Sequence, residues 1–149
     1  MTQLQQRFAE DLAIIRQWAQ GGREVAYPEI DTINALIGDG VNPLTPGIAA
    51  AIRVDFNALI TGCYLQEIDG TTGSVSVELQ RAPGGTNPAF VSITGASNPG
   101  IVSGRWFLDE TLAGWTTQIR RGDYLRYIIA GATAIARVHV GLRIRRLEP

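Results

Sequence analysis

The chain has 149 residues, 45% of them hydrophobic, and a formal net charge of −1. That length suits one domain able to bury a core without disulfides or metals, and the apolar fraction speaks against wholesale disorder. The near-zero charge argues against general nucleic-acid affinity, no apolar run reaches the roughly 18 residues that cross a membrane, and no basic segment followed by an apolar run opens the chain as a signal peptide would.

Residues 2–20 read as an amphipathic helix. Leu4, Phe8, Leu12, Ile15 and Ala19 recur at helical spacing, and Ile14 and Trp18 widen the stripe. Thr2 suits the N-cap, and Gly21-Gly22 supplies the left-handed residue that ends a helix. Such a piece either packs on its own domain or docks on a partner, and both readings stay open. Residues 21–30 form a linker. Tyr27 precedes Pro28 and is held extended.

From Thr32 onward the pattern turns to strands. Residues 32–37 make a short one, and Gly38-Asp39-Gly40 a turn. Residues 48–56 alternate at their end, with Ile52, Val54 and Phe56 on one face. Residues 59–68 follow, and Gly62 marks a bulge or a close contact. Residues 74–81 place Val75, Val77 and Leu79 inward and Glu78 outward. Two Gly/Pro loops, 82–88 and 95–104, flank a short strand at 90–94. Strands at 105–112, 114–119 and 124–130 come next. A long final strand at 134–145 turns Ala136, Val138, Val140, Leu142 and Ile144 to the core, and Ile135, Arg137, His139, Gly141 and Arg143 outward. In the turn before Tyr124, Gly122 permits a positive φ and Asp123 bonds the backbone beyond it. Gly114 leaves room for the ring of Trp115, which reads as a core aromatic. Eight to nine short strands with tight turns predict an all-β antiparallel sandwich or barrel. The predicted organisation is an arm and linker at 1–31 and a β domain at 32–149.

No catalytic constellation emerges. Asp109 and Glu110 are adjacent on a strand and face opposite ways, unlike the paired carboxylates of a glycosidase. His139 and Cys63 are each the only residue of their kind, so a His/Cys metal site is not expected, nor is any cofactor. Cys63 reads as a buried strand thiol and His139 as a surface or interface residue. All 13 basic residues are arginine. From residue 120 onward seven of them are opposed only by Asp123 and Glu148. This basic end suits either an acidic partner face or the chain's own acidic part.

The ordered pieces Asp39-Gly40 with Leu44-Thr45-Pro46-Gly47-Ile48, Arg53-Val54-Asp55-Phe56, Ile60-Thr61-Gly62-Cys63-Tyr64, Gly73-Ser74-Val75-Ser76-Val77-Glu78-Leu79, Leu112-Ala113-Gly114-Trp115-Thr116-Thr117 with Gly122-Asp123-Tyr124-Leu125-Arg126, and Arg137-Val138-His139-Val140-Gly141-Leu142 resemble a jelly-roll domain of tailed-bacteriophage virion proteins. These include capsid decoration or cement proteins, head fibres and tail-fibre modules. The resemblance spans residues 32–146 and leaves out the arm. It implies a jelly-roll β-sandwich of about eight strands in a structural protein that is not an enzyme. By the same resemblance the chain is a homotrimer on the capsid surface of the virion, made in the host cytoplasm and bridging major capsid protein subunits, with no nucleic-acid or membrane partner. Leu4, Phe8, Leu12, Ile15 and Trp18 would then anchor the arm, and Arg143, Arg145 and Arg146 would complete a charged contact. The alternative is a tail-fibre or head-fibre receptor-binding module that meets host-surface carbohydrate through Trp106, Phe107, Tyr124, Tyr127 and the two Gly/Pro loops.

Overall fold

The computed structural model describes residues 30–147. The predicted helix and most of its linker lie outside them. The strands are β1 (Ile30–Gly38), β2 (Gly47–Arg53), β3 (Asn57–Glu67), β4 (Gly73–Ala82), β5 (Val91–Ser92), β6 (Gly100–Gly104), β7 (Trp106–Asp109), β8 (Gln118–Ile119), β9 (Tyr124–Thr133) and β10 (Arg137–Leu147). They form two antiparallel sheets, β1-β10-β3-β7 with β8 also on β3, and β2-β9-β4-β5 with β6 also on β4.

The order follows from one long hairpin rolled up. Strands from opposite ends of the chain pair as β1 with β10, β2 with β9, β3 with β7 and β8, and β4 with β5 and β6. Wrapping then joins β10 to β3 and β4 to β9. This is jelly-roll winding, which closes an all-β domain into two packed sheets. Ten strands fill eight lanes, because β5 with β6, and β7 with β8, share lanes along β4 and β3. The β7/β8 lane breaks where Asp109 Oδ1 accepts from the backbone N–H groups of Thr111 at 2.9 Å and Leu112 at 3.1 Å, and Leu112 takes a positive φ of 51°. Those donors, Leu112 first, hold the Asp109 carboxyl below its usual pKa.

Alternation puts the core between the sheets. Val75, Val77 and Leu79 of β4 meet Val138, Val140, Leu142 and Ile144 of β10, all essentially without solvent contact. Four sequence expectations change. Residues 134–136 are not strand: Ala134 takes a φ of 69°, which turns Ile135 fully into the core and leaves Ala136 half-buried. The loop expected at 95–104 ends in β6, because Ile101 pairs with Val75 and fills the core. Gly114 cradles no ring; its φ of 80° serves a turn, while Trp115 packs half-buried on the core and donates from Nε1 to the Ser97 carbonyl at 3.1 Å. Asp123 bonds backward, its Oδ2 accepting from the Arg120 N–H at 2.8 Å. Of the two features expected at Gly62, the bulge occurs and the close contact does not. Thr61 is the extra residue of that bulge against β10, and a Cβ at Gly62 would meet only ordinary van der Waals neighbours, the Arg143 side chain and the Asp109 carbonyl oxygen, both at 3.6 Å.

One carboxylate organises a turn from inside. Glu67, 1% exposed at the end of β3, accepts from the N–H of Asp69 at 2.6 Å and of Thr71 at 2.8 Å, and pairs with Arg105 at 3.3 Å. Glu67→Ala would leave both N–H groups without their acceptor, while the half-exposed Arg105 finds water. The expected loss is about 2 kcal/mol. Urea unfolding should show a lower midpoint with unchanged slope, and Glu67→Gln should lose less.

Candidate functional site

The outer face of the β1-β10-β3-β7 sheet is the best-formed surface of the domain. Register lays its side chains out in rows. Leu36, His139, Gln66 and Trp106 form one row across the four strands. Asn34, Gly141, Tyr64 and Leu108 form the next. Thr32, Arg143 and Gly62 follow, then Ile30 and Arg145.

Tyr64 is pressed flat onto this face. A Cβ at Gly141 would sit inside its ring, so only glycine lets the ring cross β10. The ring meets His139 edge-on with centroids 5.4 Å apart. Asn34 Oδ1 joins both residues, accepting from the Tyr64 hydroxyl at 3.3 Å and lying 3.0 Å from His139 Nε2. This trio draws on three strands far apart in sequence, which is why no sequence signal announced it. On either side the apolar groups stand open: Trp106 is 67% exposed, Leu108 62% and Leu36 57%. The opposite sheet turns Ser76, Glu78, Gln80 and Arg126 outward, with Gln80 and Arg126 hydrogen-bonded at 3.0 Å, and exposes Ile48, Val91 and Val102 on its outlying strands β2, β5 and β6.

The expected contact residues divide. Leu4, Phe8, Leu12, Ile15 and Trp18 lie outside the described residues. Arg143 and Arg145 stand on the outer face, Arg143 paired with Glu110 at 3.2 Å. Arg146 turns to the sandwich's own end, its guanidinium 4.1 Å from the Phe56 ring centre and 2.8 Å from Asp31 Oδ2. Arg137 pairs with Asp69. Much of the basic end is therefore matched by acids from earlier in the chain.

The four aromatics considered for carbohydrate do not gather. Trp106 is open, Phe107 points the other way onto the core, Tyr124 is half-buried and Tyr127 is fully buried. Among the described residues no group of three or more His, Cys, Asp or Glu could hold a metal ion, and no helix among them is long and apolar enough to cross a membrane.

Fold and face together define a two-sheet antiparallel sandwich whose β1-β10-β3-β7 sheet sets Leu36, Trp106 and Leu108 open on its outer face. No protein-family model and no curated protein matches the chain. Among solved structures, it has a weak similarity to the SPBc2 prophage-derived protein YomS, at 11% identity over 80% of this chain and 98% of that one, with a TM-score of 0.40. Infectious bursal disease virus Gx strain is similar at 12% identity over 80% of this chain and 33% of that one, with a TM-score of 0.35.

Proposed function

We propose that this chain is a structural virion protein of a tailed phage: a trimeric capsid cement or decoration protein that bridges major capsid subunits. The observation that carries the reading is the rolled strand order, which puts every piece of the ordered phage-like motif set at a strand or turn of one jelly roll. An open sheet face beside Arg143 and Arg145 supports an assembly role. In this role the arm residues Leu4, Phe8, Leu12, Ile15 and Trp18 engage the shell. Bridging stabilises the shell by linkage, because a ligand that binds only the closed shell raises the free energy of its rupture.

The test mixes the intact chain with undecorated shells and sediments them. Retention on the shell, together with a trimeric mass by light scattering, is expected; a monomer that stays in the supernatant would overturn the proposal. The exposed Trp106 favours a second reading, a fibre module that stacks on host-surface carbohydrate. Glycan-array binding that Trp106→Ala abolishes would select it.

A further inference from the structure

We propose that β1 is a docking edge for a second copy of this chain: two β1 strands pair antiparallel about a two-fold axis at Ile33 and join two β1-β10-β3-β7 sheets into one. This goes beyond the virion role, because a two-fold seam cannot close a ring of three and would link neighbouring trimers instead.

The first observation is an open ladder. Among the described residues β1 pairs with β10 on one side and with no strand on the other. Two hydrogen bonds show which of its backbone groups are unpaired. The Thr32 N–H donates to its neighbour's carboxylate, Asp31 Oδ1, at 2.7 Å. Arg143, opposite Thr32 on β10, accepts at its carbonyl from the Thr61 hydroxyl of β3 at 3.3 Å. An antiparallel ladder alternates residue by residue. The backbone groups of Ile30, Thr32, Asn34 and Leu36 therefore point away from β10, to the free edge.

The second is an edge without a guard. Proteins blunt sheet edges with proline, lysine, bulges or very short strands. β2, the edge of the other sheet, follows Pro46 and shifts register between Ile48 and Ala50. The far edges are broken into β7 with β8 and β5 with β6. β1 runs 9 residues against β10 without a register shift and holds no proline, lysine or arginine.

The third is self-complementarity. With the axis at Ile33, Ile30 falls opposite the partner's Leu36, and Thr32 opposite the partner's Asn34. Each pairing occurs twice, and together they exchange about eight hydrogen bonds, close to the roughly ten of an ordinary interface. Ile30 and Leu36, both exposed on the outer face, cover each other, and the polar side chains meet. Moving the axis to Thr32 sets Ile30 opposite Asn34, and moving it to Asn34 sets Leu36 opposite Thr32. Asp31, the charged residue of β1, falls opposite the partner's Ala35. Its Oδ2 keeps Arg146 at 2.8 Å while its Oδ1 releases the Thr32 N–H. The seam is one strand wide, below the roughly 800 Å² per partner of a standard complex, so it forms as concentration rises.

Amide hydrogen exchange on the full-length chain tests this. From about 10 μM to about 1 mM protein, the Asn34 and Leu36 amides should slow several-fold, while those of Ile33 and Ala35, already bonded to β10, should not change. Thr32→Pro removes an N–H of the free edge and no bond to β10, so it should abolish the slowing while the amides of β4 stay protected. Leu36→Lys, at an exposed position, should do the same by setting a charge opposite the partner's Ile30. Asn34 and Leu36 amides that exchange freely at every concentration would overturn the proposal. So would their protection in a particle whose light-scattering mass is an odd number of chains, since another part of the same chain or ring would then hold the edge. A trimer with free amides leaves the virion reading standing, whereas a protected edge in a chain that ignores empty shells counts against that reading alone.

Discussion

Gly38→Ala is expected to be among the most damaging single-methyl changes in this protein. Gly38 ends β1 opposite Arg137 with a φ of 103°, a region that residues with a Cβ rarely adopt. The added Cβ would sit 2.1 Å from the carbonyl oxygen of Ala136 and 2.8 Å from Leu44 Cδ2. The first obstacle is backbone, and it belongs to the turn that feeds β10, so relief means moving the start of a central strand. Backbone strain and overpacking together should cost about 3–5 kcal/mol. Thermal unfolding should fall by on the order of 15 °C. Gly70→Ala separates the two causes, since Gly70 also has a positive φ, 86°, but open space where a Cβ would stand. That variant should lose only about 1 kcal/mol. Equal losses at the two sites would show that the Ala136 contact contributes nothing.

Alkali is expected to unfold this protein through its core. Cys63 is fully enclosed in β3, and burial first, then the charge of Asp109, pushes its thiol from 9.0 up to about 12. Tyr127 is enclosed opposite and shifted upward by the same burial. Both must keep their protons to stay folded, whereas the unfolded chain releases the thiol proton near pH 9. The stabilising contribution is therefore complete below about pH 9 and is lost as pH rises toward 12, on the order of 4 kcal/mol for the thiol. Urea midpoints measured from pH 8 to 11 should fall steeply. Cys63→Val should flatten the fall, leaving the part due to Tyr127. A native thiol this shielded should also resist maleimide at pH 8 until urea is added. Rapid native labelling, or an unchanged alkaline slope in Cys63→Val, would contradict the buried thiol.

By itself, the sequence determined the class of the fold and most of its inward faces. Strict alternation in Val75-Val77-Leu79 and Val138-Val140-Leu142-Ile144 allows one burial pattern, because side chains in a strand change face at every residue. Gly122 marked its turn for the same local reason, a φ of 90° that few other residues tolerate. Only the tertiary structure decided which strands lie side by side, and everything that depends on neighbours follows from that. Ile135 is buried because Ala134 bends the backbone before β10, which a count of alternation starting at residue 134 cannot anticipate. Residues 100–104 look like loop, with glycine at both ends, yet become a strand because β4 offers them an open edge. Arg146 shared the basic end with Arg143 and Arg145, but a place over Phe56 and beside Asp31 turned it to its own domain. The open face exists only after rolling, when strands from the two ends and the middle of the chain set Leu36, Tyr64, Trp106 and Leu108 on one surface. Local chemistry determines which way each side chain points; long-range pairing determines what it meets there.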